Sequence, residues 1–146
     1  MPINYHIEGK SHLSQQAFDE IGQAISSQLS LDREISVGLS FVGSAKIKEL
    51  NKTYADNNYA TDVLSFYYGG EGTLGDIAIC YEVAEAQAKE HHVSLESELA
   101  LLLIHGTLHL LGYDHQNEAG IASMDKLQDG IMKLLNYNYR DFKWFH

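Results

Sequence analysis

The feature that most limits how this chain can fold is the apolar run "LALLLI", residues 99–104, and its continuation "HGTLHLLGYDH", residues 105–115. Six consecutive apolar residues leave a helix little polar surface to turn to water, so the segment reads as a central helix made for burial. Yet the continuation carries His105, His109 and His115, with Asp114 and the glycines Gly106 and Gly112. Positions four apart on a helix lie about 40° apart around the axis and roughly 6 Å along it. His105 and His109 can therefore hold one metal ion from the same face. Gly112 falls where a helix commonly stops, because glycine takes the left-handed conformation at little cost. The chain can then turn back and bring His115 to the same ion. Three neutral imidazoles with a fourth position open to water is the layout of a catalytic zinc site, not of a closed structural one.

The spacing H-x3-H-x2-G-x2-H resembles that of metzincin proteases, which read H-E-x-x-H-x-x-G-x-x-H. Here Gly106 replaces the glutamate that serves those enzymes as general base. The pattern keeps the cage and omits the protease machinery. A lone histidine on an apolar face is usually a packed, hydrogen-bonded core residue, but three at these offsets with a turn glycine is a more specific pattern. His91 and His92 lack such spacing and read as the solvent end of a helix. His6, His12 and His146 are isolated and carry no assignment.

The remaining sequence supplies what must surround the central helix. A chain of 146 residues is long enough for one domain, residues 1–146, with a real core. "INYHI" alternates apolar and polar residues as a first strand, and "EISVGLSFV" alternates again with Ile35, Val37, Leu39 and Phe41 on one side. "DVLSFYY" and "DIAIC" are two further strands, separated by the glycine-rich loop "GGEGTLG". Ser14 caps a helix running to about Gln28, and Ser44 opens a short one with Ile47, Leu50 and Tyr54 on its apolar side. Three more helices are expected, at residues 81–91, 95–111 and 118–135, followed by an aromatic tail packed on the body. The expected fold class is α+β: a single compact domain, a small mixed sheet of about four strands, and the three-histidine site at the end of the central helix.

No apolar run approaches the roughly 20 residues that span a bilayer, and "MPINYHIEGK" has no basic segment leading into an apolar one. The single cysteine, Cys80, excludes an internal disulfide and reads as a small packed hydrophobe. A cytoplasmic protein without a membrane or a disulfide-linked partner is expected. The formal net charge of −10, with Arg33 and Arg140 the only arginines, taken alone argues against a nucleic-acid partner. Lys46, Lys48 and Lys52 lie close together. They form either a local basic face or a solvated side of a helix.

Three stretches in order carry a family resemblance. "HGTLHLLGYDH" closely matches the H-G-x-L-H-L-x-G-Y-D-H signature of the YbeY family, bacterial metal-dependent endoribonucleases of ribosomal RNA maturation. "LNKTYADNNYATDVLSF", residues 50–66, resembles the family's L-N-x-x-Y-R-x-x-D-x-P-T-D-V-L-S-F block, and "LGDIAI", residues 74–79, is similar to its L-G-D-I-x-I strand. The resemblance implies a compact α+β domain with His105, His109 and His115 as metal ligands. It also implies a site-lining role for Thr61, Asp62 and Ser65, and a cleft-side strand-end aspartate at Asp76. Thr61 and Asp62 are equally suited to capping a turn. The chain departs from the pattern at Ala55, where the family carries an arginine held to contact RNA phosphate or to stabilise the developing charge, at Asn58 in place of aspartate, and at Ala60 and Tyr67 in place of prolines.

The resemblance implies one Zn2+ or another divalent transition metal per chain, with ribosomal RNA and the small ribosomal subunit as partners. With no glutamate at position 106, the proton acceptor is expected among Asp76, first, and Asp114, second. Asp114 can instead orient a ligand imidazole through its second nitrogen. Two rivals stay open: a metal-dependent hydrolase of another phosphoester or an amide, and a metal-stabilised ribosome-assembly factor that binds RNA without cutting it.

Overall fold

A computed structural model describes residues 3–55, 57–69, 72–113 and 118–137. The elements, in chain order, are β1 (Ile3–Glu8), α1 (Gln15–Leu29), β2 (Ile35–Val42), α2 (Ser44–Ala55), β3 (Val63–Tyr67), β4 (Thr73–Cys80), α3 (Tyr81–Glu90), α4 (Leu95–Leu110) and α5 (Glu118–Leu134). The four strands form one sheet in the order β1-β2-β4-β3. β1, β2 and β4 run parallel, and β3 closes the edge antiparallel to β4. The sheet is thus mixed, as expected. Residues 138–146 of the expected packed tail lie outside the described residues.

Strand periodicity sorts the sheet into two faces. Ile3 and Tyr5 of β1, Ile35, Val37, Leu39 and Phe41 of β2, and Ile77 and Ile79 of β4 all enter the main core with α1, α4 and α5. Ala78 and Cys80, one residue out of phase, join a smaller cluster with Ile47 of α2, against which Leu64 and Phe66 of β3 pack. So α4 lies on one face of the sheet and α2 on the other. Gly22 lets α1 approach β1 closely, since a Cβ there would come within 2.7 Å of the Ile3 carbonyl oxygen.

The helix starts follow from their caps. The Ser14 hydroxyl accepts the Ala17 N–H at 3.1 Å, and the Ser94 hydroxyl accepts the Ser97 N–H at 3.0 Å. Each satisfies a donor that the first turn would otherwise leave orphaned. α4 is enclosed: residues 99–104 are all at most 1% exposed, between the sheet, α1, α3 and α5. Tyr5 reaches it from β1. The Thr107 hydroxyl donates to the Leu103 carbonyl at 2.7 Å, so the buried Tyr5 hydroxyl, 2.8 Å away, donates to Thr107. No helix among the described residues is long and apolar enough to cross a membrane.

β4 begins at Thr73, earlier than expected, because the glycine-rich stretch partly belongs to the strand. Gly75 sits where a Cβ would come within 2.2 Å of the Phe66 carbonyl oxygen, so the side chain is missing to let β3 pair, not to make a loop.

Candidate metal centre

The histidine pair stands in a cleft of about 550 Å3 lined by residues 59–65, by Val83 and Gln87 of α3, and by His105 and His109 of α4. The two imidazoles have ring centroids 5.2 Å apart and planes inclined by 71°. His105 is buried and His109 half-buried. The Nδ1 of His105 lies 2.7 Å from the Oε1 of Gln128 on α5. An amide oxygen only accepts, so Nδ1 carries a proton, and in the neutral ring the lone pair is then on Nε2. These two residues fit a metal: imidazoles one helical turn apart, one of them held through Nδ1 by a neighbouring acceptor. Among the described residues no group of three metal-ligating side chains forms. The expected third ligand, His115, and the nearby Asp114 lie outside the described residues.

The chain does reverse where the spacing asks it to. After the last helical residue the Gly112 N–H donates to the His109 carbonyl and the Tyr113 N–H to the Leu108 carbonyl, each at 3.1 Å. This is a Schellman closure, with Gly112 at φ 101°, a left-handed conformation that a side chain would strain.

The other wall of the cleft is built from the block at residues 50–66. Asn51 is buried. Its side-chain amide donates to the Tyr59 carbonyl at 3.0 Å, and its own carbonyl accepts the Asn57 N–H at 3.2 Å. That pins the segment carrying Tyr59 to Asp62. The Asp62 carbonyl accepts the Cys80 N–H at 2.8 Å, which fixes the entry to β3. The Ser65 hydroxyl donates to the Gly106 carbonyl at 3.1 Å and ties the edge strand to α4. Thr61, Asp62 and Ser65 are therefore brought to the histidines, in agreement with the resemblance.

Asp76 is not. It alternates with Ile77 and Ile79, whose side chains face α4, and it pairs with Phe66 on the α2 face. There it lines a second opening with Gly38, Lys46, Tyr54 and Tyr68, on the far side of the sheet from the histidines. The Tyr68 hydroxyl donates to its carboxylate, and this bond, the largest cause, raises the Tyr68 pKa. Gly38 is needed there: a Cβ would overlap the Asp76 carboxylate. The lysines of α2 are exposed, and no lysine or arginine among the described residues lines the histidine cleft. Ala55 ends α2 in solvent, also outside that cleft.

Gly106 has a different reason than a missing base. Its Cβ position faces the sheet, 3.1 Å from Cγ2 of Ile77 and 3.1 Å from the Ser65 hydroxyl oxygen. A side chain there would enter the helix–sheet contact, so the position is not available for a proton acceptor in the cleft. Two residues escaped the sequence reading. Gln128 was legible only as a polar residue in the apolar stripe of Met124 and Ile131. Gln87 carried no signal.

Fold and cleft together define a small α+β protein that presents paired, oriented imidazoles between its central helix and an edge strand. Residues 4–136 match the family model described as Endoribonuclease YbeY. A protein of that name from Ureaplasma urealyticum is 42% identical over 125 residues, 83% of this chain and 81% of its own length. Another, from Alkaliphilus metalliredigens, is 35% identical over 147 residues, 90% of this chain and 95% of its own. A Thermotoga maritima protein solved in solution superposes with a TM-score of 0.59 at 28% identity, covering 92% of this chain and 91% of that one. The chain belongs to the YbeY family.

Proposed function

We propose that this chain is a metal-dependent endoribonuclease. Its substrate is single-stranded ribosomal RNA, cut in maturation of the small-subunit 3′ end and in ribosome quality control in the cytoplasm. One observation carries the reading: His105 and His109 share a cleft with Asp62 in a chain whose relatives are named endoribonucleases. One zinc ion per chain, or another divalent transition metal, supplies Lewis acidity toward a phosphoryl oxygen and lowers the pKa of water.

His105 and His109 hold the ion through neutral imidazole nitrogens, with His115 as the proposed third ligand. The Asp62 carboxylate takes the proton from the attacking water, because it lines the cleft and Asp76 lies across the sheet. Asp114 serves either the same proton or the orientation of an imidazole. Tyr59, exposed at the rim, offers a ring on which a single-stranded base can stack.

The test is cleavage of small-subunit ribosomal RNA by chelator-treated protein before and after zinc is restored, beside the His109→Ala variant. Cleavage should vanish on stripping, return with zinc, and stay absent in the variant. Cleavage that survives stripping or the substitution overturns the reading.

A second reading has its own support: Ala55 and the absence of any lysine or arginine among the described residues lining the cleft leave no cationic side chain there to stabilise charge developing at a cleaved phosphate. These favour an assembly factor that holds metal and binds RNA without cutting it. RNA binding by zinc-loaded protein with no cleavage would select it.

A further inference from the structure

We propose that Gln128 is a positioning residue that sets the tautomer of His105. The inference uses the metal reading of the histidine pair only for what that tautomer serves. Gln128 lies fully buried on α5, one turn from Met124 and nearly one turn from Ile131, both of them core residues. The periodicity of that helix calls for an apolar side chain here. An amide instead leaves its Nε2 buried with no hydrogen-bond partner among the described residues. A buried unpaired donor costs folding free energy, and an apolar residue of similar size would avoid that cost. Among the described residues the only hydrogen bond of this side chain is the one its Oε1 accepts from the Nδ1 of His105, at 2.7 Å across 23 residues of chain.

That one bond has a definite consequence. A neutral imidazole in water favours the proton on Nε2. His105 turns Nδ1 toward α5, so Nε2 is the nitrogen it has for the cleft it lines. Without an acceptor at Nδ1, the proton would settle on the nitrogen meant to bind. The Gln128 oxygen moves the proton to Nδ1, leaves the lone pair on Nε2 and stops the ring from rotating. A chain that tolerates a buried unpaired amide nitrogen for the sake of one bond to a ligand histidine gains a set ligand before any ion arrives.

The test is long-range 1H–15N correlation on histidine-labelled, metal-free full-length protein, with zinc affinity measured by competition with a chromophoric chelator. Wild-type His105 should show the Nδ1–H pattern. Gln128→Leu should convert it to Nε2–H and weaken zinc binding by about 10–100-fold. Gln128→Glu, which keeps an acceptor oxygen, should preserve both the Nδ1–H pattern and the affinity. If the leucine variant does not fold, Gln128→Met replaces it with the same expected conversion. A wild-type His105 in the Nε2–H form, or an unchanged Nδ1–H form in the apolar variants, overturns the proposal. If the tautomers respond as stated but wild-type protein takes up no zinc, the positioning role stands and the metal reading fails.

Discussion

Replacing Gly106 by alanine should destabilise the domain even though alanine is the better helix former. In an exposed helix interior the change would gain about 1 kcal/mol. Here the new Cβ would stand 3.1 Å from Ile77 Cγ2, 3.2 Å from Ile77 Cδ1 and 3.1 Å from the Ser65 oxygen, so its neighbours must yield by a few tenths of an ångström. Ile77 cannot yield freely, because it is 1% exposed in a central strand. Ser65 can rotate, but only by giving up its bond to the Gly106 carbonyl, worth about 1 kcal/mol. Overpacking of a tight core contact typically costs about 1–3 kcal/mol, so the net effect is a loss of roughly 1–3 kcal/mol once the bond and the propensity gain offset each other. For a domain of about 150 residues that lowers the Tm by several degrees, at roughly 2–4 °C per kcal/mol. Urea denaturation of wild type, Gly106→Ala and the double variant Gly106→Ala with Ile77→Val measures it. The double variant should recover part of the loss, since it removes a methyl from the contact. A Gly106→Ala protein more stable than wild type would refute the packing argument and return this glycine to the role of an omitted catalytic base.

Three further outcomes follow from the geometry. Tyr5→Phe removes the donor to Thr107 while Thr107 keeps its bond to Leu103, so it should cost about 0.5–1.5 kcal/mol in the same denaturation assay, and a neutral change would refute the assigned direction. His12 stacks on Tyr81 with centroids 4.4 Å apart, and burial, then Lys10, lowers its pKa below 6.5. The unfolded chain therefore binds the proton more readily, and stability should fall as pH drops through 6.5, with an NMR titration midpoint below that value in the folded protein. Asp76→Asn should leave zinc affinity and RNA cleavage unchanged while Tyr68 titrates at lower pH than in wild type by ultraviolet absorbance. Loss of cleavage with intact folding would place Asp76 in the reaction after all.

What could be read from the sequence, and what could not, divides along one physical line. Local rules placed Ser14 as a cap, the alternation of β2, and the turn at Gly112, because each depends on residues within a few positions of one another. The pairing of His105 with His109 is local in the same sense, being set by the helical repeat. Asp76 lies outside the histidine cleft for a different reason. Its parity was legible, since Ile77 and Ile79 must face a core, but which face of the sheet receives the histidine helix depends on β3 joining β4 at the edge. That pairing is a long-range event, and "TLG" before Asp76 looks like loop until the close approach of β3 explains Gly75. The same pairing draws Asp62 and Ser65 in beside α4, while the alternation of β4 turns Asp76 to the opposite face. Gln128 stands between the two cases: its place in an apolar stripe marks it as anomalous, and only the packing of α5 on α4 brings its amide oxygen to His105.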